Sequence, residues 1–210
     1  MPIVGEAIPL VLVGLFVSVA SFLMGWKVPS GLVFLLTVGV ALFFRNPRRC
    51  IPQDKEAILS PADGKVMRIE RSFSEPGFAE KVTLLSIFLS LANVHVNRLP
   101  VSGRVKEVRY RKGKFRFAFD PKAVGENERN FLRVAMENGK EIGFAQVAGF
   151  IARRIRCFIK PGDPVCAGER FGLIRFGSRA DLFLPESVEV LVREGEKVRG
   201  GETILARFKS

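Results

Sequence analysis

"GDPVCAGERFGLI" (residues 162–174) and "GEKVRGGETILA" (residues 195–206) are two versions of one phrase, 33 residues apart. Gly162 aligns with Gly195, Val165 with Val198, Gly168 with Gly201, Glu169 with Glu202 and Phe171 with Ile204. Each copy reads as strand, glycine turn, strand, since glycine is the residue that tight reversals tolerate best. "DGKV" (63–66) and "SGRV" (102–105) open in the same turn-then-strand manner. Around them lie short runs rich in Val, Ile and Phe and cut by Gly and Pro: "GKVMRIE", "KVTLLSIFLS", "GRVKEVRY", "KFRFAF", "NFLRVAM", "EIGFAQVAGFIA", "RRIRCFIK", "ERFGLIRF", "VEVLVRE" and "ETILARF". Such runs suit strands better than helices. The expected fold is mainly β (α+β), an array of packed β-hairpins with approximate internal symmetry and short helices. "SLANVHVNRL" (90–99) reads as a loop or a single turn.

The N-terminal residues differ in texture. Residues 8–26, "IPLVLVGLFVSVASFLMGW", carry no charge and approach the roughly 20 apolar residues that cross a bilayer as a helix. After "KVPS", a second apolar run (31–44) has only 14 residues, about 21 Å of helix against a hydrocarbon core of about 30 Å. This pattern predicts a membrane anchor over residues 1–44, two apolar helices in a hairpin closed by a four-residue loop. Its second arm must thin the bilayer, borrow flanking residues, or dip in and return. A cleaved signal peptide fits less well, because "MPIVGEAIPL" has no basic start. The cluster Arg45, Arg48, Arg49 and Lys55 predicts that the domain over 45–210 lies on the cytoplasmic side.

Lys and Arg outnumber Asp and Glu by 33 to 21, a net charge of +12. Setting aside Glu6 and Lys27 leaves 32 and 20, so the whole excess lies in residues 45–210. An anionic partner follows, be it nucleic acid, a bilayer face or an acidic small molecule. Cys50, Cys157 and Cys166 form no C-x-x-C pair, and there is one histidine; this favours neither a disulfide framework nor a metal site, and fits a reducing compartment. Phosphate-binding glycine loops, H-E-x-x-H and the G-x-S-x-G elbow are absent. The polar residues set in apolar or turn-rich surroundings are Asp63, His95, Asn97, Glu128 and the pair Gly177-Ser178. Each has an ordinary reading: Asp63-Gly64 and Gly177-Ser178 as turns, His95 as a hydrogen-bonded core residue, Glu128 as a solvated carboxylate.

Taken together, "FFRNPRR", "SPADGKV", "IFLSLANVHVNRLPVSG", "NERN", "QVAGFIARRI" and "KPGDPVCAGERFGLIRFGSRADLFLP" resemble the phosphatidylserine decarboxylase family, in particular its short, archaeal-type and bacterial members. The motifs run in order through nearly all of residues 43–210. By analogy of fold alone, the hairpins are similar to the hammerhead elements of biotinyl and lipoyl domains. The family resemblance implies that the chain cuts itself between Gly177 and Ser178, giving a large chain 1–177 and a small chain 178–210. It also implies that Ser178 becomes a covalent pyruvoyl group, the cofactor for decarboxylating a serine phospholipid to the ethanolamine lipid and CO2. The lipid is phosphatidylserine or the ether-linked archaetidylserine.

On this reading Ser178 is the nucleophile of self-cutting and the source of the cofactor, and Gly177 marks the cut. His95 is the one side chain whose ordinary pKa lies near neutrality, which makes it the candidate for proton transfer. The resemblance implies that Asp63 assists self-cutting. Many members carry a second histidine where this chain has Arg98, a side chain that cannot act as a base; Asp63 then works with His95 or polarises the serine alone. Expected partners are the serine phospholipid, the membrane and the two chains of one proenzyme; a homodimer is compatible, and nucleic acid is not expected. The rival reading is a non-catalytic, membrane-tethered carrier or adaptor presenting Lys197 in "REGEKVRG". A basic nucleic-acid-binding domain is a third reading, poor in Tyr and Trp.

Overall fold

The computed structural model describes residues 3–116, 123–149, 155–174 and 178–209. The chain forms two compact units, Met1–Arg48 and Arg49–Ser210.

In the first unit a turn at Gly5–Ala7 leads into α1 (Ile8–Leu23), and α2 (Lys27–Phe43) returns. The reversal occupies only residues 24–26, with Gly25 at φ +83°. The "KVPS" segment is thus helical, contrary to the loop expected there. Pro29 sits in the first turn of α2, where a backbone N–H has no partner within the helix. The second arm is therefore 17 residues, about 26 Å long. Hydroxyls lie between the helices: Ser18 Oγ donates to Ser30 O (3.0 Å) and Ser30 Oγ to Ser18 O (2.8 Å). A Cβ on Gly14 would collide with Thr37 Oγ1, so glycine is what lets the helices approach. Leu10, Leu12, Phe16, Leu23, Leu35 and Leu36 are exposed. Buried hydroxyls with small residues inside and leucines outside is the arrangement of helices packed in lipid. Gly5–Leu23, with mean hydropathy 2.1, is long and apolar enough to cross a membrane.

The second unit contains β1 (Ala57–Leu59), β2 (Gly64–Phe73), β3 (Val82–Leu89), β4 (Val96–Arg98), β5 (Gly103–Arg111), the single turn α3 (Ala123–Glu126), β6 (Arg129–Ala135) and β7 (Glu141–Val147). It continues with β8 (Ile155–Cys157), β9 (Pro164–Val165), β10 (Arg170–Ile174), β11 (Ser178–Leu184), β12 (Val188–Val190), β13 (Lys197–Val198) and β14 (Ile204–Phe208). An eight-stranded sheet runs β13-β2-β3-β11-β7-β6-β5-β9, and two three-stranded sheets run β1-β14-β12 and β4-β10-β8. The mainly β expectation holds. The "KFRFAF" run differs: Lys114 makes one isolated bridge to Asn127, and residues 117–119 lie outside the described residues.

The internal repeat extends beyond the quoted phrase. A shift of 39 residues carries β1 onto β4 and Gly64 onto Gly103, and a shift of 33 carries β8 onto β12 and β9 onto β13. Gly195 N donates to Val66 O (2.7 Å) as Gly162 N does to Val105 O (2.8 Å); Gly201 N donates to Ser60 O as Gly168 N does to Leu99 O, both at 2.8 Å. The paired turn glycines share their φ, +94° and +90° at Gly162 and Gly195, +79° and +77° at Gly168 and Gly201. One copy is β4–β10; the other is β1–β3 with β11–β14. They meet where β11 pairs with β7, and the chain passes between copies through residues 90–95 and 175–177.

Leu85, Ile87, Leu132, Phe144, Leu182 and Leu184 on one face of the large sheet pack with Ile58, Phe171 and Leu205 of the small ones. Val82, Leu84, Phe131 and Phe183 form a second cluster. All seven residues of β11 are buried, because this central strand is covered on both faces.

Candidate active site

Ser178 opens β11 and lies opposite Leu89, the last residue of β3. Leu173 of β10 lies opposite Val96 of β4, and Ile174 N donates to His95 O (3.2 Å). The β3–β4 and β10–β11 segments thus run antiparallel through two sheets. The segment leaving β3 leads to His95, and β11 begins at Ser178. That segment is shaped by Asn93, whose Oδ1 accepts from Ser90 N (2.9 Å) and Ser90 Oγ (2.7 Å). That turn presents Asn93 O to His95 Nδ1 at 2.9 Å. A carbonyl can only accept, so Nδ1 carries the hydrogen; whenever the ring is neutral, the lone pair is therefore on Nε2. His95 is buried, 3% exposed.

Ser178 is 0% exposed, and its Oγ has no hydrogen-bond partner among the described residues. Gly177, the other half of the expected cut, lies outside the described residues.

Asp63 occupies a repeated position, 39 residues before Ser102. Gly200 N donates to Asp63 Oδ1 (2.8 Å) and Ala167 N, its equivalent, to Ser102 Oγ (2.8 Å). The fold therefore requires only an acceptor here, and the carboxylate is additional. It binds Arg49 Nη2 through both oxygens, at 2.9 and 2.8 Å. Arg49 also reaches Glu202 (3.4 Å), and Glu202 accepts from Cys50 N (3.1 Å). The Cys50 N–H, above all, holds the Glu202 carboxyl below its usual range; burial opposes it, and the Arg49 charge, a smaller effect than burial, adds to the lowering. Arg98 joins this cluster, donating from Nη1 to Gly168 O (2.9 Å). Burial, then Arg49, lower its proton affinity, while Asp63 and Glu202 oppose them. Among the described residues, no hydrogen bond links Asp63 to Ser178 or to His95.

Asn97 lies in a buried polar chain: Asn130 Nδ2 donates to Gln146 Oε1 (3.0 Å), and Gln146 Nε2 to Asn97 Oδ1 (3.0 Å). Glu128 is buried at the entry to β6, where its backbone O accepts from Ala148 N (2.9 Å). Sequence reasoning missed Arg49 as the partner of Asp63. It also missed a buried pair beside Ser178: Arg179 Nε lies 2.9 Å from Asp181 Oδ1, which accepts from Ser86 Oγ (2.7 Å). The available signal was two charges at alternate positions in an otherwise apolar strand, "SRADLFL".

Residues 36–206 match the family described as phosphatidylserine decarboxylase. The phosphatidylserine decarboxylase proenzyme of Geotalea uraniireducens (strain Rf4) is 46% identical over 204 residues, covering 97% of this chain and 95% of that one. The proenzyme of Wolbachia pipientis wMel is 45% identical over 207 residues (97% and 90%), and that of Desulfotalea psychrophila (strain LSv54 / DSM 12343) 40% over 208 (99% and 97%). These matches span the anchor-like helices as well as both copies of the repeat, and on them the chain belongs to the phosphatidylserine decarboxylase family of enzymes.

Proposed function

We infer that this chain is a self-cutting, pyruvoyl-dependent decarboxylase of a serine phospholipid, phosphatidylserine or archaetidylserine, held at the cytoplasmic face of a membrane by α1 and α2. The observation that carries the reading is the buried Ser178 Oγ, without a hydrogen-bond partner among the described residues, four positions beyond Ile174, whose N donates to His95 O. In self-cutting, Ser178 Oγ attacks the Gly177 carbonyl carbon and the acyl group moves from nitrogen to oxygen. Elimination across Cα–Cβ of residue 178 breaks the new ester and releases the Gly177 carboxylate. Water then replaces the nitrogen of residue 178, which leaves as ammonia, and a ketone remains at the new N-terminus. His95 takes the serine proton on Nε2, its Nδ1–H anchored on Asn93 O.

Residue 178 fits such a group, being a serine shielded from water at a strand start. A pyruvoyl group there supplies a carbonyl that condenses with the substrate amine and accepts the electron pair left by CO2. In decarboxylation His95 returns a proton to the carbon that lost CO2. Asp63 contributes a fixed negative charge, pinned by Arg49, with Arg98 beside it. Full burial of Ser178 in the uncut chain fits a zymogen.

The test is the intact mass of the protein and of Ser178→Ala, each with a carbonyl reagent. Two chains divided at 177/178, the smaller reacting, and one unreactive chain in the variant are expected. A single unreactive chain in both would overturn the reading.

A further inference from the structure

Beside Asp63 the second unit has an open groove of about 530 Å³, lined among others by Asp63, Lys65, Asn93, Lys197 and Arg199. That is a size typical of small-molecule sites. Lys65 and Lys197 are direct cross-strand partners, an arrangement of like charges that destabilises a sheet. Both are exposed, and no carboxylate pairs with either among the described residues. Among the described residues, the Arg199 side chain has only a distant partner, Glu202 at 3.8 Å.

The other copy of the repeat shows that the fold does not need these cations. There Pro164 stands for Lys197 and Cys166 for Arg199. Arg104 stands for Lys65 and spends a guanidinium nitrogen on Gly162 O (2.7 Å). The same strands and turns therefore form without a free positive cluster. The charged copy is the one whose groove is walled by Asn93, and Asn93 O holds His95.

We propose that Lys65 and Lys197 bind the phosphodiester of the substrate headgroup, with Arg199 at the rim, so that the serine is presented toward residue 178. This rests on the decarboxylase reading. The charge-assisted bonds involved are the strong class, and their pairing across one strand couple fixes the anion between them.

The experiment uses the full-length cut enzyme, Lys65→Gln, Lys197→Gln and the double variant. Substrates are dihexanoyl phosphatidylserine below its micelle concentration and phosphatidylserine vesicles. For the monomeric lipid, KM is expected to rise about tenfold or more for each substitution, while intact mass shows self-cutting to proceed. Lys65→Arg, which keeps the charge, should raise KM less than Lys65→Gln. An unchanged monomer KM in the double variant overturns the proposal. So does a rise confined to vesicles, which would assign the lysines to the membrane surface. Should the glutamine variants fail to fold or cut, the parent decides by acetylation mapped with mass spectrometry. Glycerophosphoserine should protect Lys65 and Lys197, and equal labelling with and without it overturns the proposal. A parent that neither cuts nor decarboxylates would instead sink the underlying function.

Discussion

Asp63 and Ser102 occupy one position in two copies of the same turn, and each caps one backbone N–H. The pair separates what the fold needs from what the carboxylate adds. Asp63→Ser should retain the cap and fold nearly as well as the parent, yet cut itself at least about tenfold more slowly for want of the charge that holds Arg49. Asp63→Ala loses the cap as well, at a further cost of about 1 kcal/mol. A time course of chain cutting by mass, beside a urea denaturation curve, checks both; equally fast cutting by Asp63→Ser would reduce Asp63 to a cap. Glu202 gives the cluster a pH signature. Its folded pKa is lowered, first by the Cys50 N–H and then by Arg49. The stability it contributes is therefore complete above the ordinary glutamate value of about 4.3, and is lost as pH falls through the lower folded value. Thermal melts of the parent should decline more steeply over that acid window than those of Glu202→Gln, and parallel declines would count against the pairing.

At the scale of elements, the turn glycines explain how much of the fold was legible. Gly162, Gly168, Gly195 and Gly201 all adopt positive φ, a requirement few other residues meet, so the 33-residue repeat stands out in the sequence. The 39-residue repeat is fainter: β-strands exchange Val, Ile, Leu and Phe freely, and only Gly64 and Gly103 with their neighbours retain the mark. "KVPS" misled because proline and serine signal a turn, whereas the first turn of a helix accepts both. Among the proposed site residues, Ser178, His95 and Asp63 sit in short motifs that the sequence displays. Arg49, 14 positions from Asp63, and the Lys65–Lys197 couple come together only through the fold. The glycines also differ in a testable way. Alanine at Gly195 meets backbone strain, its Cβ lying 3.7 Å from Lys65 Cε, whereas at Gly201 it also meets Arg98 Cδ at 2.8 Å. Both substitutions should cost on the order of 1 kcal/mol for the left-handed conformation, and Gly201→Ala should cost more because Arg98 must move. Denaturant midpoints compare them directly, and equal losses would mean that Arg98 yields freely.

At the scale of the molecule, residues 175–177 connect the two copies of the repeat in sequence, so the proposed cut after 177 would sever the chain without freeing either part. The segment from Ser178 onward supplies β11, hydrogen-bonded to β3 on one side and β7 on the other. It also supplies β14, central in its small sheet between β1 and β12, and β13 on the edge of the large one. Leu182, Leu184, Leu205 and Phe208 belong to the main core, and fully burying such side chains is worth about 1.5–3 kcal/mol each. The cut chains should therefore remain one particle: a single gel-filtration peak in mild detergent holding both in equal amount, separable only by denaturant. Because β11 has its neighbours on the other chain, the isolated small chain should show no cooperative unfolding. Release of a soluble small chain under native conditions would contradict this placement of β11, since it would require a seven-residue central strand, buried throughout, to leave both neighbours and expose two hydrophobic faces to water.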